Sequence, residues 1–183
     1  MTRIASIDAS QLLIVDMQTK LSLAMQPEAM QAAIKQAQVL AQASQHLAVP
    51  VLFTEQYPQG LGHTLPEILQ LAPQAPVVEK TAFSACAAPK CNAKLSRDKS
   101  QVILVGMEAH ICVLQTAFDL LEQHKQVFIV EDAIISRAPA NRANAIARMR
   151  EAGCIITNTE SVVFEWIGNA QHPAFKEIAK LVR

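Results

Sequence analysis

Apolar positions fall along this chain in two patterns, short unbroken runs and longer stretches with helical spacing. Residues 12–15 are Leu, Leu, Ile and Val with no polar break, and Asp16 closes the run. That is the pattern of a strand covered on both faces, and it predicts a strand over 11–16. From 27 to about 47, Ala29, Met30, Ala33, Ile34, Ala37, Leu40 and Ala41 share one helical face. Pro27 opens that helix where its missing N–H costs nothing. A second buried strand is predicted at 51–54, and Pro58, Gly60 and Gly62 make 55–63 an irregular loop. A short helix at 65–71, a weak third strand at 76–79 ending at Lys80, and a short helix at 89–95 follow, with 81–88 ambiguous. Residues 102–105 form the fourth strand, and 111–123 the next helix, apolar at Val113, Leu114, Ala117, Phe118 and Leu121. The fifth strand is 127–130, ended by Glu131 and Asp132. A helix at 141–152 closes at Gly153. The sixth strand is 155–157, and helices at about 160–167 and 173–181 complete the chain.

Strands alternating with helices at this spacing predict an α/β fold. It is a three-layer, doubly wound, mainly parallel six-stranded sheet with helices on both faces, Rossmann-like in plan. At 183 residues, with no repeat, low-complexity segment or linker, the chain reads as a single domain over 1–183.

Composition narrows the function. Apolar residues make up 51% and charged residues 17%, enough for one well-buried core. Sixteen basic and sixteen acidic residues cancel, no Lys/Arg run occurs, and aromatics are 4%, all of which argue against nucleic acid as a partner. No apolar run approaches the roughly 20 residues of a membrane span. Asp8 and Gln11 interrupt any signal-like segment, so a cytoplasmic location is expected. Cys86, Cys91, Cys112 and Cys154 then read as reduced thiols, and the spacing of the first two makes no zinc site. No metal or cofactor is implied.

The fourth strand stops at Gly106, and a five-residue turn leads into a helix carrying Cys112 near its first turn. A helix N-terminus stabilises a thiolate, so the Cys112 pKa is expected to be depressed there, and its N–H groups can receive an oxyanion. In a parallel sheet, ligands bind beyond the carboxyl ends of the strands. Asp16, Lys80 and Cys112 all lie at such ends, brought to one edge although 64 and 32 positions separate them. Each has a bland reading alone: a helix cap, a surface lysine, a small buried thiol. A base, a cation and a thiol on one edge make a site.

Three blocks in order carry a family resemblance: Leu12-Leu13-Ile14-Val15-Asp16-Met17-Gln18, Val78-Glu79-Lys80-Thr81-Ala82-Phe83-Ser84, and Val105 through Ala117 around Gly106 and Cys112. With them the chain resembles the isochorismatase-like cysteine hydrolases over nearly its whole length. Thr54-Glu55-Gln56-Tyr57-Pro58 and Glu131-Asp132-Ala133 look like the subgroup of isochorismatase domain-containing proteins. The resemblance implies that Cys112 is the nucleophile, Asp16 its base, and Lys80 the cation that steadies the carboxylate. It also implies a cis peptide between Met107 and Glu108, aiming the Glu108 and Cys112 N–H groups into one oxyanion hole. The implied reaction is attack on an amide-like or imine-like carbon of a small molecule, a thioester, then hydrolysis.

Two departures shape the expectation. Nicotinamide-hydrolysing relatives carry an Asp-x-His-x-x-His metal site after the second strand, where this chain has Glu55, Gln56, Tyr57 and only His63. The namesake isochorismate hydrolases lack the nucleophilic cysteine that Cys112 supplies. Gln18, Gln56, Tyr57, Phe83 and His110 are candidates for lining the substrate pocket. Phe83 equally fits the core, and His110 a Cys–His pair, the turn itself or a subunit contact. The rival reading is a binding or scaffolding protein with vestigial activity. The apolar content, two apolar C-terminal helices and the resemblance together suggest a homo-oligomer.

Overall fold

The computed structural model describes residues 3–183. In chain order the elements are β1 Ser10–Val15, α1 Thr19–Ser22, α2 Pro27–His46, β2 Val51–Gln56, α3 Pro58–Leu61, α4 Pro66–Leu69, β3 Val77–Lys80 and α5 Pro89–Lys94. β4 Gln101–Met107 runs into a π-helical turn, Ala109–Val113, that passes directly into α6 Leu114–Glu122. β5 Gln126–Ile135, α7 Pro139–Glu151, β6 Ile155–Thr157, α8 Thr159–Ile167 and α9 Phe175–Leu181 follow. Among the described residues, no helix is long and apolar enough to cross a membrane.

All strand pairings are parallel, in the order β3-β2-β1-β4-β5-β6. The order reverses at β1, which therefore flanks the crevice of a doubly wound sheet. All six residues of β1 are buried, as its unbroken apolar run requires. Alternate side chains serve opposite layers. Leu12 and Ile14 join Met30, Ile34 and Leu40 of α2 and Val162 of α8, whereas Leu13 and Val15 join Leu114 and Leu120 of α6 and Ile146 of α7.

Three local expectations change. β5 does not stop at Glu131 and Asp132 but runs on to Ile135, with a register shift against β4 between Leu104 and Gly106. Both acids are half-buried inside the strand, where the fold gives partners to the Asp132 carboxylate and to the Glu131 main chain. Arg142 donates to the Glu131 and Ile134 carbonyls, and Asp132 Oδ1 accepts from Thr159 N and Oγ1 at 2.9 and 3.0 Å. The helix expected from 111 begins earlier, as the π turn, with Val113 N donating to the Glu108 carbonyl at 3.3 Å. The loop after β2 contains α3, and α1 follows β1, both too short to show a periodicity.

Gly106 is the position where close approach of two strands dictates the residue. Its φ is 121°, and a Cβ there would lie 2.0 Å from the Val15 carbonyl oxygen. β1 and β4 therefore meet backbone to backbone beside Asp16.

Candidate active site

Asp16 leaves β1 in a left-handed conformation, φ 52°, with its N–H donating to the Thr54 carbonyl at 3.1 Å. Its carboxylate is held at both oxygens. Thr54 Oγ1 donates to Oδ1 at 2.7 Å, and Lys80 Nζ donates to Oδ2 at 2.6 Å. Lys80, the last residue of β3, reaches across β2 to do this, and both side chains are 0% exposed. The ammonium also donates to Gln56 Oε1 at 2.8 Å, the Phe83 carbonyl at 3.0 Å and the Ala82 carbonyl at 3.3 Å. Its three protons thus face four acceptors, and the turn after β3 is wrapped around the charge.

Cys112 sits in the π turn, buried, and its thiol senses both members of this pair. The expected depression of its pKa is absent. Burial pushes the thiol up from 9.0 to about 12; the Asp16 charge adds to the rise, and the Lys80 charge opposes it. A one-turn helix start offers too little field to outweigh desolvation. Cys112 is therefore a thiol at rest. Asp16, Lys80 and Cys112 do converge on one edge of the sheet.

The Met107–Glu108 peptide bond is cis. The Glu108 carbonyl accepts from Ile111 N and Val113 N, which forms the turn, and its buried carboxylate accepts from Arg137 N at 2.9 Å and pairs with Arg137 Nε at 3.1 Å. His110 turns away from Cys112. Its Nδ1 lies 3.0 Å from Ser136 Oγ and its Nε2 3.3 Å from Asn141 Nδ2, so both ring nitrogens face the β5–α7 connection rather than a Cys–His pair.

The remaining pocket candidates divide. Gln18 lines no cavity: it is 0% exposed, accepts from Gln56 N at 2.7 Å and donates to the Gln56 and Gly62 carbonyls. It is a strut that fixes the loop after β2. Gln56 bridges Lys80 to the Thr81 carbonyl, 2.8 Å at each end. Phe83 offers its carbonyl to Lys80, and its ring is 54% exposed rather than in the core. Tyr57, 55% exposed, walls a cavity of about 700 Å³ with Pro58, Lys80, Ala82, Ala88 and Pro89. Cys112 itself does not line this cavity. Sequence reasoning missed Thr54, whose signal was a hydroxyl at the end of an apolar run.

Glu55, near the end of β2, holds the loop that follows it. Its carboxylate takes Thr64 N at 2.6 Å, Thr64 Oγ1 at 2.7 Å and His63 Nδ1 at 3.0 Å. Burial raises its pKa, but the Thr64 donors and His63 outweigh that and keep the carboxyl below 4.5. Among the described residues, no three His, Cys, Asp or Glu side chains are grouped to hold a metal ion.

The isochorismatase domain model matches residues 10–161. Human isochorismatase domain-containing protein 2 is 39% identical over 179 residues, which cover 96% of this chain and 83% of that protein. The bovine protein of the same name is 42% identical over 137 residues, 75% of this chain, and the match spans just under two thirds of it, 66%. Among solved structures, the MAR1 ribonuclease from Caenorhabditis elegans superposes with a TM-score of 0.92 at 38% identity, covering 98% of this chain and 92% of that one.

Proposed function

The chain belongs to the isochorismatase family of hydrolases, and we propose that it is a metal-independent cysteine hydrolase of small acyl, amide or imine compounds. The observation that carries this reading is the fully buried Lys80–Asp16 pair with a protonated thiol beside it. In the proposed mechanism the Cys112 proton passes to Asp16 as Sγ bonds to the substrate carbonyl carbon. The C=O electron pair moves to oxygen, and the oxyanion is received by the Glu108 and Cys112 N–H groups. Collapse expels the leaving group, which takes the proton from Asp16, and a thioester remains on Cys112. Water then attacks with Asp16 as base, the acid departs, and Sγ recovers its proton. Lys80 contacts no substrate in this scheme; it keeps the Asp16 carboxylate oriented throughout.

The test is a panel of small amides and acyl compounds assayed with wild type, Cys112→Ala and Asp16→Asn. Turnover by wild type with loss in both variants is expected, and an acyl adduct of Cys112 should be trapped by mass spectrometry. Activity persisting in Cys112→Ala overturns the covalent mechanism. The C. elegans neighbour is named a ribonuclease, so RNA belongs in the same panel; the neutral net charge and few aromatics predict no cleavage. A homo-oligomer, expected from the apolar content, should give a mass above 19.9 kDa by light scattering.

A further inference from the structure

Only four charged side chains are buried among the described residues, namely Asp16, Glu55, Lys80 and Glu108, and all four stand at the carboxyl edge of the sheet. Every one is paired inside the protein. Lys80 is the sole buried cation of that set, and its three protons are committed to Asp16, Gln56 and two carbonyls. Glu55 is taken up by Thr64 and His63, and Glu108 by Arg137. Ser44 Oγ, far from this edge on α2, is the one buried side-chain polar atom without a partner among the described residues. The enclosed part of the site is thus closed in charge: no buried group there is free to neutralise an incoming ion.

An ion that enters such a place loses its hydration and gains no counter-charge, whereas a neutral carbonyl loses little. The cavity beside Lys80 has the same character. Tyr57, Pro58, Ala82, Ala88 and Pro89 wall it, and its ionic side chains Glu79 and Lys90 are exposed and opposite in sign. Its volume, about 700 Å³, fits a small organic molecule. We propose that the substrate is an uncharged acyl compound with a small apolar body, and that carboxylates, phosphates and ammonium compounds are excluded because every buried charge at the site is already paired, while Glu79 and Lys90 at the rim are solvated and opposite in sign. This rests on the cysteine hydrolase reading above and narrows it. Negative charge arises only during reaction, on the carbonyl oxygen, where backbone N–H groups rather than a cation receive it.

Iodoacetamide and iodoacetate test this, because they are near-isosteric and differ in charge. With either, Sγ bonds to the methylene carbon, iodide leaves with its electron pair, and the thiol proton passes to Asp16. Rates at Cys112 of the wild-type chain are followed by peptide mass spectrometry near neutral pH, with 2-mercaptoethanol as the uncharged reference thiol. The amide-to-acid rate ratio at Cys112 should exceed the reference ratio by about tenfold or more. A ratio equal to the reference, or in favour of iodoacetate, overturns the neutral-substrate proposal and leaves the cysteine reading standing. Failure of both reagents to label Cys112, or labelling unchanged in Asp16→Asn, overturns the cysteine reading and the substrate class with it.

Discussion

Two ion pairs share the carboxyl edge of this sheet and are built in opposite ways. Lys80–Asp16 closes at 2.6 Å with both side chains sealed from solvent, whereas Arg137–Glu108 closes at 3.1 Å with the arginine 58% exposed. An exposed guanidinium returns to water when its partner is removed. The buried ammonium cannot, because protein acceptors surround it. A buried pair repays its desolvation poorly, and apolar residues of similar volume often serve stability as well. Stability alone therefore gives no reason for Lys80 and Asp16 to stand there, and the chemistry proposed for the thiol beside them supplies one.

The largest effect on this contrast comes from alkaline pH, since Cys112 and Cys91 lie near enough to the buried pair to sense both its charges. Burial holds Cys86, Cys112 and Cys154 at about 12 and Cys91 at about 11, against an ordinary thiol at 9.0. The unfolded chain gives up these protons first, so their contribution to stability is complete below pH 9 and is lost as pH rises towards 12. Four thiols titrate over the same range, so their effects on stability act together. Melting temperature should fall steeply above pH 9, and a flat profile from pH 8 to 11 would contradict their burial.

Next in size is Lys80→Met, which strands the Asp16 carboxylate and should cost about 3–5 kcal/mol in urea denaturation. Adding Asp16→Asn should restore much of that stability while Cys112 stays slow to alkylate. A cost below about 1 kcal/mol would erase the distinction between the two pairs. Thr54→Val removes the other donor to Asp16 and should cost about 1–3 kcal/mol. It should also slow iodoacetamide labelling of Cys112 about tenfold through misorientation of the base, with Thr54→Ser restoring the rate. Equal labelling in Thr54→Val and wild type would make Thr54 a purely structural contact. Smallest is Glu108→Gln, at no more than about 1 kcal/mol and less in high salt, because the Arg137 guanidinium it releases is already solvated.

Much of the architecture was legible because its signals are local. Residues 12–15 announce a two-faced strand, and the spacing from Met30 to Leu40 announces the helix that covers it. Glu131 and Asp132 misled for an equally physical reason. Charged residues commonly end a strand, but here β5 continues, with the Asp132 carboxylate taken up by Thr159 and the Glu131 carbonyl by Arg142. Gln18 resembled a pocket residue by its place after Asp16, and only the loop folded over it shows that its amide is consumed by Gln56 and Gly62.

Periodicity and chain order are enough to set the alternation of strands and helices and to put Asp16, Lys80 and Cys112 at or just past the carboxyl ends of strands. Tertiary structure alone decided how those residues behave. Whether a thiol is acidic, which nitrogen His110 offers to which partner, and whether a lysine has a proton to spare all depend on distant groups enclosed in one volume. Desolvation and pairing belong to that volume rather than to any segment. Cys112 looked acidic when only its helix was in view, and burial in the folded chain raises its pKa instead.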